Sequence, residues 1–228
     1  MKIVCFDIDG TLLHSHGAGR RAIHRALVEV LGTAGPIDTF RFDGRTDGEI
    51  VLRLAEAAGV DAGGDVVPRV LKRYVENLRG ELAGPAHRTL VYPGVHIALD
   101  ALEQRTDCVL GLLTGNVVEG AQLKLRSAGL DPARFRVGAF GSDHHVRAEL
   151  PAVAQRRAAA LLARDVAGGD IVIIGDTPAD MTCGQGIGAR AIGVGTAAYR
   201  PDQLMAVGAH AAFADLSDTA AVVAAIFA

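Results

Sequence analysis

The amino-acid sequence predicts an α/β fold, a doubly wound parallel sheet with a small helical domain inserted near its start. Three observations carry that prediction. Continuous apolar runs, the mark of strands buried on both faces, alternate with helix-like patterns. The stretch from Ser15 to His87 breaks the alternation and contains no convincing strand. Acidic residues stand at the ends of two of the runs, where open parallel sheets bind their ligands.

The elements follow in order. Lys2–Phe6 is the first strand. Helical segments are expected over Arg20–Leu31, Asp47–Ala58 and Val66–Leu82, with Gly- or Pro-containing joints at Gly32–Pro36, Gly59–Gly64 and Gly84–Pro85. The alternation then resumes with a strand at Cys108–Leu113, a helix over Val117–Ala128 and a weaker strand at Phe135–Phe140. A helix over Leu150–Arg164, a strand at Asp170–Ile174, a helix over Pro178–Gly186 and a strand at Ala189–Val194 come next. Ala209–Ala214 is a last, weaker strand, and the Ala-rich run Ala220–Ala228 a closing helix. This division predicts a core from residues 1–14 and 88–228, and a helical cap over 15–87.

Composition narrows the function classes. Half of the residues are apolar and 21% are charged, which supports a packed core. Lys and Arg number 23 against 26 Asp and Glu, a formal charge of −3, so no basic face for nucleic acid is expected. Cys5, Cys108 and Cys183 are odd in number and widely spaced; they fit reduced thiols in a cytoplasmic protein and lack the pairing of a zinc site. The longest apolar stretches are about half the ~20 residues of a membrane span, so no membrane partner is expected. Asp7 and Asp9 interrupt the N-terminal apolar segment, against a signal peptide. Nothing in the sequence fixes an oligomeric state.

The most informative segment is Phe6-Asp7-Ile8-Asp9-Gly10-Thr11, with two carboxylates two residues apart and Gly10 to permit a tight turn. Side-by-side anions cost free energy unless a cation or proton compensates, and an oxygen-only set suits Mg²⁺. A second acidic pair closes a later strand in Gly175-Asp176-Thr177-Pro178-Ala179-Asp180, where Pro178 can start a helix and Asp180 lies one turn in. Each pair alone could be a helix or turn cap; two pairs at strand ends point to one crevice. Thr114-Gly115-Asn116 ends another strand and offers a hydroxyl, a flexible amide and a helix N-terminus, either as a phosphate cradle or as a simple cap.

The order DxDGT, T-G-N, GDTPAD resembles the haloacid dehalogenase superfamily of phosphohydrolases across essentially the whole chain. The helical insertion is similar to the cap of its phosphoglycolate phosphatase and β-phosphoglucomutase subgroup. The resemblance implies that Asp7 is the nucleophile, forming an aspartyl-phosphate, and that Asp9 acts as general acid and then base. It implies Mg²⁺ held by the carboxylates of Asp7 and Asp176 and the backbone carbonyl of Asp9, with Asp180 an orienting group or an additional ligand. Thr114, Gly115 and Asn116 would bind the transferring phosphoryl group.

The sequence departs from the pattern where the family carries a Lys before the last motif. His144-His145-Val146-Arg147-Ala148-Glu149-Leu150-Pro151 has none; Arg147 is the positional candidate, with Arg156 and Arg157 as competitors. The two histidines read as a surface loop. In the inserted segment Thr46 and Glu49 form a potential capping box, while Arg45 is free to contact the substrate. Arg20 and Arg21 follow a Gly17-Ala18-Gly19 hinge and read as helix-surface charges, and Lys124 as a solvated mid-helix side chain.

These readings converge on a Mg²⁺-dependent phosphatase acting on a small phosphorylated metabolite: phosphoglycolate, a sugar phosphate or a nucleoside monophosphate. A phosphomutase, which returns the phosphoryl group to substrate, is the alternative enzyme, and a non-catalytic phosphoacceptor the alternative outside catalysis. Dehalogenation, which needs neither a second acid nor a metal, leaves Asp9 and Asp176 unexplained.

Overall fold

The computed structural model describes residues Met1–Ala228. Six parallel strands form the main sheet in the order β5-β4-β1-β6-β7-β8: β1 (Lys2–Phe6), β4 (Cys108–Thr114), β5 (Val137–Phe140), β6 (Ile171–Gly175), β7 (Arg190–Val194) and β8 (Ala211–Phe213). Counted as the chain visits it, the order is 3-2-1-4-5-6, so the winding reverses between β1 and β6 and leaves a crevice beyond their C-terminal ends.

Alternation along each run sorts the core into two layers. Val4 and Phe6 of β1 pack with Leu110, Leu112, Val172 and Ile174 under α4 (Val95–Glu103), α5 (Val118–Ser127) and α9 (Thr219–Phe227). Ile3 and Cys5 face the other way, with Val109, Leu113, Ile171 and Ile173, under α6 (Leu150–Leu162) and the end of α7 (Pro178–Cys183). Every residue of β6 is buried, as a continuous apolar run with helices on both faces requires. A short helix, α8 (Pro201–Ala206), packs beside β7 and β8.

The inserted segment forms α1 (Ala18–Leu31), α2 (Asp47–Ala57) and α3 (Val66–Ala83), packed around their own cluster of Ile23, Leu27, Ile50, Leu54, Tyr74 and Leu78. Val117, at the start of α5, belongs to that cluster and joins it to the sheet-bearing part. The two chain crossings are tied together by an antiparallel ribbon of β2 (Leu13–His14) and β3 (Leu90–Val91), too short for any sequence periodicity to announce. The hinge expected at Gly17-Ala18-Gly19 is narrower: Ala18 and Gly19 are already helical, and only Gly17 is left-handed, with φ 76°. No helix is long and apolar enough to cross a membrane.

Candidate active site

Asp7 follows Ile3 and Cys5 in the strand alternation and continues the ladder, its N–H donating to the Ile174 carbonyl at 2.9 Å. That parity aims its carboxylate toward the layer covered by α6, and Arg147, in the turn leading into α6, meets it: Nη2 lies 3.1 Å from Asp7 Oδ2. The same nitrogen is bonded to Asp180 Oδ1. Asp180 Oδ2 accepts from the Thr177 N–H at 3.0 Å and its hydroxyl at 2.7 Å, closing a capping box at the start of α7. Asp176 comes directly off β6 and accepts from the Thr11 hydroxyl at 2.9 Å. Oxygens of Asp7, Asp176 and Asp180 all lie within 4.8 Å of one another, in a buried group that could hold a metal ion. Gly10, with φ 84°, is required twice over, because a Cβ there would run into the Asp176 carboxylate.

The electrostatics record an excess of buried negative charge. Burial pushes Asp7 up to about 6, against the Arg147 guanidinium, with Asp180 adding to the rise and the Thr114 hydroxyl opposing it. Asp176 is driven well above the carboxylate range by burial and by Asp180 and Asp7. Burial works against the Arg147 charge, but Asp180 and Asp7 outweigh it and hold the guanidinium protonated. Arg147 Nε is the one buried side-chain polar atom without a partner.

Asp9 lies outside this group. Its carboxylate turns to Lys124, whose Nζ is 2.6 Å from Oδ2, and to Asn116, whose Nδ2 donates to the same oxygen at 2.9 Å. Asn116 also bonds the Thr114 hydroxyl at 2.8 Å, so the T-G-N strand end sits between Asp7 and Asp9. The reading of Lys124 as a solvated side chain is corrected: the side chain is only 5% exposed.

The inserted helices close over these groups. A cavity of about 270 Å³ lies between the two parts, lined by Asp7, Asp9, Thr114, Gly115, Asn116, Arg147 and Asp176 from one side and Arg20, Ile23, Phe42, Arg45, Asp47 and Tyr74 from the other. The loop carrying Arg45 rests directly on Gly115, where a Cβ would strike the Arg45 carbonyl. Asp47 N–H donates to the Gly115 carbonyl and Asp47 Oδ2 accepts from the Val117 N–H, both at 2.8 Å. Thr46 caps α2 through the Glu49 N–H at 3.1 Å; the return half of the expected box is missing, because the Glu49 carboxylate pairs with Arg45 instead. Arg45 therefore lines the cavity already bonded to an acid. Arg20, read as a surface charge, is corrected as well: it points inward, donates to the carbonyls of Ile37 and Phe40 and stacks on Phe42. Arg156 is exposed, Arg157 pairs with Asp143 at the surface, and His144 and His145 stack on each other and are not among the residues lining the cavity.

Asp47 yields a pH-dependent prediction. Burial raises its carboxyl from 3.8 to about 6, against Lys124 and the Val117 N–H. A carboxyl raised on folding binds its proton more tightly in the native state, so its contribution to stability falls as pH rises from 3.8 to about 6 and is most unfavourable above that. Asn keeps an acceptor for Val117 without the charge. The stability of Asp47→Asn relative to the parent is expected to rise by about 2–3 kcal/mol between pH 4 and 7, measured by urea unfolding. A pH-independent difference would show that Asp47 is not held up by its surroundings.

A haloacid dehalogenase-like hydrolase family model matches residues 1–188. The chain is 30% identical over 225 residues to a phosphoglycolate phosphatase of Rhodospirillum rubrum, covering 95% of this chain and 88% of that one. Among solved structures it resembles a hydrolase from Pseudomonas syringae, with a TM-score of 0.74 at 18% identity over 98% of this chain and 97% of the other. It also resembles a variant of CbbY from Rhodobacter sphaeroides in complex with xylulose-(1,5)-bisphosphate, with a TM-score of 0.72 at 19% identity over 96% of each chain. Both structural likenesses speak for the fold alone.

Proposed function

The chain belongs to the haloacid dehalogenase-like hydrolases, and from that premise we propose that it hydrolyses the phosphate ester of a small metabolite through an aspartyl-phosphate on Asp7. The observation that carries this reading is the placing of Asp7 at the reversal between β1 and β6, against Arg147 on one side and Asp176 on the other. Two strands and one turn bring these groups together from distant parts of the chain.

The donor set fits a hard divalent cation. Every candidate ligand is an oxygen, and of the three buried carboxylates Asp7 and Asp180 pair with the single Arg147 guanidinium while Asp176 has no cation beside it. The carboxylates of Asp7 and Asp176 and the Asp9 carbonyl would hold Mg²⁺, and Asp180, with both oxygens engaged, would orient Arg147 and the α7 turn. When bound, the ion supplies positive charge beside the phosphoryl oxygens.

Asp7 attacks phosphorus; the bond to the leaving oxygen breaks as Asp9 delivers a proton to it. Asp9, now a carboxylate, takes a proton from the water that releases phosphate from Asp7. Thr114 and the Gly115–Asn116 backbone would fix the phosphoryl group at the N-terminal end of α5. The cavity of about 270 Å³ suits a small substrate of the phosphoglycolate or sugar-phosphate kind. The inserted helices act as the cap, over residues 15–87.

Rapid acid quenching during turnover of an aryl phosphate with Mg²⁺ tests the reading. The phosphoryl group is expected on the peptide that contains Asp7. Its recovery on any other residue, or hydrolysis undiminished in excess chelator, would overturn the assignment.

A further inference from the structure

We infer that Lys124 is a positioning residue for Asp9, holding one carboxylate oxygen so that the other faces the reacting atoms. The inference rests on the acid–base role proposed for Asp9.

Lys124 lies on the buried face of α5, beside Gly120, Ala121 and Leu125, where a lysine is costly unless it is paired. Its ammonium is 2.6 Å from Asp9 Oδ2 and 2.6 Å from Asn116 Oδ1. Asn116 in turn donates to the same Asp9 oxygen at 2.9 Å. Oδ2 thus accepts two side-chain hydrogen bonds, one of them from a cation, and Oδ1 accepts none from a side chain. The asymmetry matters because a general acid must present one oxygen within hydrogen-bond reach of the leaving group. Asp9 lies beyond the end of β1 and its side chain is 41% exposed, so the strand does not fix its rotamer; Lys124 does.

The surroundings are built to admit this cation. A Cβ on Gly19 would lie 3.4 Å from Lys124 Nζ and 3.7 Å from the Tyr74 hydroxyl, so the lysine tip sits against the first turn of α1. Asp47, from the start of α2, is near enough to feel the same charge. In the first step the proton leaves Asp9 for the leaving oxygen while the ester bond breaks, and the ammonium and the Asn116 amide stabilise the carboxylate that results. In the second step that carboxylate accepts the proton of the attacking water from an unchanged position.

A simple structural role and this one separate by leaving group. A dinitrophenyl phosphate needs no proton on departure, whereas an alkyl phosphate does. Lys124→Met is expected to lower kcat on an alkyl phosphate by about 100-fold with KM nearly unchanged. On the dinitrophenyl ester the phenolate burst is expected to keep its rate while steady turnover slows and phosphoenzyme accumulates. Lys124→Arg, which retains the cation, should restore much of the alkyl phosphate activity. Equal losses on both esters, including the burst, or no loss on either, would overturn the proposal. Asp9→Asn in the same assays separates the two readings. If it shows the leaving-group dependence and Lys124→Met does not, only the role of Lys124 fails; if Asp9→Asn shows none, the acid–base role of Asp9 itself fails. Thermal melting identifies a lysine variant that has merely unfolded, and Lys124→Arg then carries the test.

Discussion

Asp7→Asn is expected to lower phosphate release by about four to six orders of magnitude, since an amide cannot form the acyl phosphate and removal of a nucleophile costs about that much. The same change is expected to leave the metal-free protein as stable as the parent at neutral pH, or more so. Burial holds the Asp7 carboxyl up at about 6, so the native state binds its proton more tightly than the unfolded chain. Its stabilising contribution therefore declines as pH rises from 3.8 to about 6, and at pH 7 the ionised group is a net cost. Asn removes the charge while keeping the shape. Activity by phosphate assay and unfolding by denaturant should thus move in different directions. A variant with a tenth of the parental kcat would remove Asp7 as nucleophile, and one that lost both activity and fold would show that Arg147 depends on Asp7 more than Asp7 costs.

The acidic strand ends were legible because each is a local feature: a carboxylate directly after a buried apolar run, with Gly10 or Pro178 to turn the chain. The strand order put them together, and the alternating βα pattern already implied such a sheet. Lys124 and Arg20 were misread for a common reason. Each is a long cationic side chain in a helix, and the usual place for one is solvent. Their partners lie elsewhere in the chain, Asp9 being 115 residues from Lys124, and no short-range spacing reports that contact. A weaker signal did exist. Lys124 shares a face with Ala121 and Leu125, and Arg20 with Ile23 and Leu27, so both cations stand on apolar stripes that bury. A lone charge on such a stripe implies a buried partner. The ribbon of β2 and β3 left no trace, because two residues per strand give no alternation to read.

Arg147 is the positional candidate for the lysine that the family resemblance implies, and its geometry states what losing or replacing it should cost. Both of its ion pairs run through Nη2, to Asp7 at 3.1 Å and to Asp180. Arg147→Ala strips two buried carboxylates of their cation. It is expected to destabilise the fold by about 3–5 kcal/mol and to lower kcat by about three orders of magnitude. Arg147→Lys is expected to recover most of both. A lysine ammonium ends near the position of the arginine Cζ, one bond short of Nη2, and a small shift of its flexible stem brings it to both acids; the lysine also lacks the buried, partnerless Nε–H, which costs about 1–3 kcal/mol while it stays unpaired. The two measurements, unfolding free energy and kcat, need not agree, and their disagreement is informative. If the lysine variant is stable yet as inactive as the alanine variant, the guanidinium does more than neutralise Asp7 and Asp180. Its second donor then belongs to the phosphoryl group, and the arginine is a different solution to phosphate binding rather than a substitute for the lysine.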